Sequence, residues 1–432
     1  MKRINFVHFM AAAALAAVLL LTGCDGGDAP ADSKPTEKPD TSISTSKADL
    51  EDAPNANGVI WKYSKTGANT VTLIGYSAVG KAPQGAVRLP SMTDDNYVVT
   101  EIGAGALTGT RITSVTLPER VEIVGAQAFK NCTGLTSVDL QSSRVSSIGA
   151  SAFANTGLVQ VVLPSGVKVI GTKAFYHCTA LESVNILGTP TVDGSENNGV
   201  FEGCTSLRNV TLNENTKRIA DSMFAECRSL KTIKLPSGLT EIGKAAFSKC
   251  TALTGITLPE NLTKLGENAF AFCESLQTIT VPAKVTKLSD KTFWYCKGLA
   301  SVTLPDTLTE IGSAVFAECR ALEAITLPDS VTAVGVNAFG GCYALKRAVL
   351  SQNLTVLADY TFDRCEALEK LYIPKNVNSI GRYALSMEQT VQIYYGGSDT
   401  AWSSLVQRAQ AGNTALQRAK VTPNALPSQI TA

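Results

Sequence analysis

The 432-residue chain holds 11 cysteines but only 2 histidines, and these bound its possible chemistry. Hydrolytic centres of the Ser-His-Asp or Cys-His kind need an imidazole base. His8 lies in an N-terminal stretch read below as a cleaved signal, which leaves His177, beside Cys178. A single imidazole in a turn reads as a surface residue. Ten cysteines remain after Cys24: Cys132, Cys178, Cys204, Cys227, Cys250, Cys273, Cys296, Cys319, Cys342 and Cys365. No Cys-x-x-Cys pair occurs, which argues against a metal site. An even count in an exported chain invites disulfides. Here every cysteine stands three residues after a phenylalanine, so all should point into one core as small apolar groups. The expectation is ten reduced, buried thiols.

Carboxylates offer little more. Glu101, Glu122, Glu241 and Glu310 read as a repeated, solvated edge just before an Ile-Gly step, not as the facing pair of a glycosidase. The loop from Asp193 to Asn198 has oxygen ligands but not the spacing of a calcium loop. No Gly-rich phosphate cradle with a lysine is found. No cofactor, no metal and no enzymatic activity are therefore expected, and a surface hydrolase is the weakest reading. Net charge is +1, with 38 basic and 37 acidic residues, so no field draws nucleic acid.

The elements behind these residues repeat. Phe201, Phe224, Phe247, Phe270, Phe293, Phe316, Phe339 and Phe362 are spaced by 23 residues. Phe129, Phe153 and Phe175 extend the series upstream, with a step of 26 from Phe175 to Phe201. Leu107 and Leu385 fill the same slot at the ends, giving 13 repeats. Of 14 phenylalanines only Phe6, Phe9 and Phe272 fall outside the series. The unit reads L-x-x-I-x-L-P, then V-x-x-I-G-x-x-A-F-x-x-C-x-x-L, as in Leu253 to Leu276. This period and leucine spacing are those of a leucine-rich repeat. Ile256 and Leu258 would face inward from a strand, and Pro259 would end it. Leu262 and Leu265 would form a second short segment, and Gly266 the corner after it. Phe270, Cys273 and Leu276 would share one helical turn. Stacked strands about 4.8 Å apart imply a body roughly 60 Å long.

Residues 1–23 read as a signal peptide, with Lys2 and Arg3 before an apolar run from Phe6 to Leu21. Leu21-Thr22-Gly23-Cys24 resembles the bacterial lipobox, which implies cleavage after Gly23 and a lipid on Cys24. Residues 24–57, rich in proline, serine and acids, read as a disordered tether. Residues 58–100 are expected to cap the N-terminal end, 101–390 to form the repeats and 391–421 to cap the C-terminal end. Residues 422–432 read as a loose tail.

The strand motif, the IGxxAFxxC turn and the closing Ile393-Tyr-Tyr-Gly-Gly-Ser-Asp-Thr-Ala-Trp402 segment resemble the BspA-like class of bacterial leucine-rich-repeat surface proteins over about residues 59–420. The resemblance implies a curved solenoid with a parallel sheet on its concave side, short strands and helical turns on the other, and a role in adhesion to host or microbial proteins or glycans. Departures from the motif occur where proline gives way to Gln141, Leu187, Asn213 and Ser351. The outward strand slots form a nearly uncharged hydroxyl face, suited to a protein or glycan rather than a small molecule. Thr257, Thr280, Thr303 and Thr326 lie on it, with Arg347, Lys370 and Tyr372 as candidate anchors. The expected protein is a monomeric, lipid-anchored, extracytoplasmic binding or adhesion protein. A ligand-free envelope spacer is the alternative.

Overall fold

The computed structural model describes residues 49–53, 55–193 and 198–431. The signal peptide, Cys24 and most of the tether lie outside them. The stretch assigned to the tether nonetheless ends early. Asp49–Glu51 pairs antiparallel with Trp61–Lys65, which pairs antiparallel with Thr70–Tyr76. Tyr63 Oη donates to Asp52 at 2.6 Å and Lys62 meets Glu51 at 3.1 Å. Tyr63 is fully buried, so its hydroxyl needs an acceptor, and Asp52 supplies one.

The N-terminal cap feeds both strand rows of the solenoid. Thr70–Tyr76 pairs in parallel with Val98–Ile102, which starts a row of short strands through Ile123–Val124, Ser147–Ile148 and Val169–Ile170. Gln84–Arg88 pairs in parallel with Arg111–Thr116, the first main strand. The alternation expected of the main strand holds: Ile279 and Val281 are buried while Thr278 and Thr280 are exposed. Each repeat therefore forms one coil with a main-strand position, a short strand and a turn side, though residues 232–234 and 255–257 keep the position without pairing as strands.

The turn side is not helical. In the coil of Phe270, Asn268 and Phe272 have φ of 57° and 61°, which a right-handed helix excludes. The same left-handed conformation recurs two residues before the anchor in all 13 coils, Gly105 to Tyr383, and two residues after it in 12, Gly109 to Arg364. Hydrogen bonding explains the pattern. The amides of Asn268, Phe270 and Phe272 donate to Asp290, Thr292 and Trp294 of the next coil, while those of Ala269, Ala271 and Cys273 close three-residue turns within their own. Alternate amides thus point along the stack. A residue in the left-handed region costs about 1–2 kcal/mol, offset by amides that would otherwise be buried unpaired.

Inside, the phenylalanines from Phe129 to Phe362 form one column, with ring centroids 5.1–5.8 Å apart and interplanar angles of 4–18°. This is offset stacking. Gly266 has a different task from the one its corner suggested. Its φ is not positive; a Cβ there would lie 2.5 Å from the backbone of Gly243. Glycine allows the coils to approach at this corner.

At the C-terminal end Gln392–Tyr395 adds a strand, and the helix Asp399–Arg408, capped by Ser398, packs on the last coil. Asn413 completes the stack: its side-chain oxygen accepts from the Leu385 amide at 2.8 Å, where every other coil offers a backbone carbonyl. The tail is not loose. Lys420–Thr422 pairs in parallel with Gln392–Tyr395, and Ser428–Thr431 is a short helix whose Ile430 is fully buried. Ala425 and Ile430 cover Val349 and Tyr372, apolar outward residues of the last main strands.

Candidate interaction surfaces

The main-strand face divides at its candidate residues. Thr257, Thr280, Thr303 and Thr326 are exposed, one per coil. Thr278–Thr280 pairs with Ser301–Thr303 in register, so Thr280 stands beside Thr303. Arg347 and Lys370 are half-buried neighbours in a parallel pair. Tyr372 is not available as an anchor. It is 2% exposed beneath the C-terminal tail, and its hydroxyl donates to Gln352 at 3.1 Å. An aromatic on an outward slot marked the place where the chain covers its own sheet.

The cysteine column is structural. All ten thiols are buried and free. Each Sγ donates to the carbonyl of the anchor residue one coil earlier, at 3.0–3.3 Å. In nine of the ten cases that carbonyl already accepts an amide of its own coil, and Phe153 O accepts the Thr156 hydroxyl instead, so the thiol fills a second lone pair. Thr110 and Thr156 hold this slot where cysteine is missing, and bond the carbonyls of Leu107 and Phe153. Each threonine bonds the anchor of its own coil, beside the thiol that reaches the same carbonyl from the next coil. Burial pushes nine of the ten thiols up, Cys250 to about 12, far from the thiolate that reactivity needs, whereas at Cys178 burial is outweighed by hydrogen bonds from Cys204 and Thr156, which lower it.

His177 points away from Cys178. The imidazole is exposed and stacks on Tyr176 at 4.1 Å, whereas the thiol faces the core. The carboxylates lie on the short-strand row. Glu241 meets Arg218 at 3.3 Å and Lys264 at 2.9 Å, and Glu310 meets Lys287 at 2.8 Å. Glu101 stands opposite Ile123, so Glu122 is one position out of that series.

A surface on the turn side carries a stronger signal than the threonines. Phe272 packs edge-on against Trp294 at 4.8 Å and tilted against Tyr295 at 5.0 Å. Lys297 lies 4.6 Å from the Tyr295 ring, and Arg320 lies 5.5 Å from both Tyr295 and Tyr343. Arg364 bonds the Tyr343 hydroxyl at 2.9 Å and Glu318 at 2.8 Å. Phe272 and Tyr295 occupy a left-handed slot filled elsewhere by Gly109, Asn131, Gly203 or Gly341. A bulky ring is an unfavoured choice there, and the column does not need it, since these rings are outside it. Phe272 was visible in the sequence as a phenylalanine off the 23-residue series; its neighbours across coils were not.

The repeat region matches the family described as BspA type Leucine rich repeat region (6 copies) over residues 100–197, 195–300 and 289–404. The chain belongs to the BspA-type leucine-rich repeat family. Its fold is shared with a leucine-rich repeat protein from Bacteroides ovatus, 27% identical, covering 78% of this chain and 98% of that one at a TM-score of 0.56. A leucine rich cell surface protein from Faecalibacterium prausnitzii is 25% identical, covering 86% of this chain and 95% of its own, at a TM-score of 0.50. The pneumococcal vaccine antigen PcpA shares the fold alone, at 15% identity, 88% and 99% coverage and a TM-score of 0.56. No curated protein matches by sequence. The expected parallel-stranded solenoid of BspA type stands, with left-handed turns in place of the helical ones.

Proposed function

We propose that the chain is a lipid-anchored cell-surface adhesion protein that holds a protein or glycan partner against the side of its BspA-type solenoid. One observation carries this reading: Phe272, Trp294, Tyr295 and Tyr343 form a half-exposed aromatic surface laced with Arg320 and Arg364, outside the core and across successive coils. Tyr, Trp and Arg are the usual anchors of interfaces, because rigid rings give contact area at little entropic cost. The threonine face offers a second, flatter surface. The lipobox-like Leu21-Thr22-Gly23-Cys24 and the cell-surface description of the Faecalibacterium relative support an anchored, extracytoplasmic location.

The test is binding of the full chain, purified in detergent, to host matrix proteins and glycans. Trp294→Ala with Tyr295→Ala should weaken saturable binding more than about tenfold. Thr257, Thr280 and Thr303 all changed to Lys should leave it unchanged. The opposite ranking would move the site to the main-strand face. No binding by any form would support the spacer reading. Labelled fatty acid should enter the wild-type chain in cells and not the Cys24→Ala variant.

A further inference from the structure

The main-strand row has its widest gap in the coils that follow the 26-residue step between Phe175 and Phe201. Asn209–Thr211 pairs with Ser183–Asn185, but residues 232–234 and 255–257 join no strand, and the main row resumes at Thr278–Thr280. Elsewhere the amide leading into the strand donates one coil back: Arg208 to Glu182, Thr254 to Lys231, Gln277 to Thr254. Among the described residues Lys231 makes no such bond to Arg208. The two coils part here, and a groove of about 580 Å³ opens between them.

Three cations line it: Arg208, Arg228 and Lys231. Arg228 meets Glu226 at 3.1 Å, but Glu226 is also claimed by Lys249 at 2.5 Å. Arg208 and Lys231 form no ion pair among the described residues. The same entry slot holds Thr254, Gln277 and Ala300 in the following coils. The next cation in that slot, Lys346, faces Glu323 at 3.8 Å. Unpaired positive charge is thus concentrated where the ladder opens. Between the cations stand Asn209, Ser229 and Thr232, and the one apolar side chain at the groove is Ala252.

We propose that this groove binds the carboxylates of an acidic polysaccharide, a deepening that rests on the adhesion reading above. Arginine grips a carboxylate through two parallel N–H bonds, and lysine adds a point charge. Amide and hydroxyl groups suit a sugar's hydroxyls, whereas a peptide would need an apolar pocket for an anchoring side chain. The volume admits one or two sugar units, and the open ends let a polymer continue along the main-strand face.

The experiment titrates the detergent-purified full chain with polygalacturonate, its methyl ester and polyglutamate at rising salt. Polygalacturonate should bind, weaken as salt rises and exceed both other polymers. Arg208→Glu and Lys231→Glu should each reduce affinity roughly tenfold or more with melting unchanged, while Lys346→Glu should not. Equal binding of the methyl ester, or affinity indifferent to both groove variants, would overturn the proposal. So would polyglutamate binding as tightly, which would assign the groove to acidic peptides. Failure of every polymer would overturn it too and leave the adhesion reading intact, since that is read through Trp294 and Tyr295 on the turn side.

Discussion

Two stretches of the solenoid differ in one respect. From Leu262 to Leu385 the coils keep a 23-residue step, and main strands pair again, Thr278–Thr280 with Ser301–Thr303 and then, after one unpaired step, from Ala324–Thr326 onward. From Leu187 to Leu258 the 26-residue step is followed by two regular coils in which the main row lapses. The interior does not register the change. Phe175 and Phe201 stack at 5.3 Å, Phe201 and Phe224 at 5.8 Å. On the turn side, Lys173, Phe175 and His177 still donate to Asn198, Val200 and Glu202, absorbing the insertion without losing a bond. The aromatic column and the turn-side ladder hold the coils together, and main-strand pairing is the part that can be opened. The proposed groove therefore sits on a row whose local loss the stack tolerates.

The largest expected effect treats both stretches alike. An unfolded thiol gives up its proton from about pH 9, whereas a buried one keeps it. The folded state then binds more protons, and stability falls as pH rises. For Cys250 the contribution is complete below pH 9 and lost by about pH 12. Cys250 alone removes about 1.4 kcal/mol per pH unit in that window, and the other thiols that burial raises add to it. Melting followed by circular dichroism should drop steeply above pH 9 in a single transition; two separate transitions would mean that the stretches do not share a core. Next, Phe270→Ala and Phe201→Ala should each cost about 3–5 kcal/mol in denaturant unfolding. A much smaller loss at Phe201 would show that the column is already loosened at the insertion. Hydrogen exchange separates the two regions more finely. The amides of Lys231 and Ile233 should exchange at least about tenfold faster than those of Ile279 and Val302. Equal protection would mean that the row is closed in solution. Smallest of all, Thr280→Lys should move stability by less than about 0.5 kcal/mol, because the side chain is exposed and bonds nothing.

Much of this was legible in the residues. Phe129 to Phe362 announced the column, the Ile-x-Leu spacing fixed which strand residues face in, and the cysteine slot named a buried ladder. The left-handed turns were not legible. Their cost is offset by bonds to the next coil, so the slot holds Lys249, Glu226 and Arg364 as well as Gly203, and no glycine pattern betrays the conformation. Thr110 and Thr156 were missed because an apolar slot suggested size and not a donor. Tyr372 was misjudged because periodicity assigns a face but not what later folds over it. The groove followed from backbone pairing lost beside an insertion, which the 26-residue step hinted at and the cations alone could not reveal.

Asn413 has a consequence for how molecules meet. The last coil of any such stack presents a row of amides and carbonyls that fits the first coil of another copy as well as it fits its own neighbour. Asn413, with its oxygen on Leu385 and its nitrogen on Gly381 and Gln410, imitates a further coil without offering one. Lys420–Thr422 and the helix Asp399–Arg408 overlie the remaining rows. On the turn side that end cannot template a further copy, and on the main-strand row its exposed backbone edge is reduced to the three residues Lys420–Thr422.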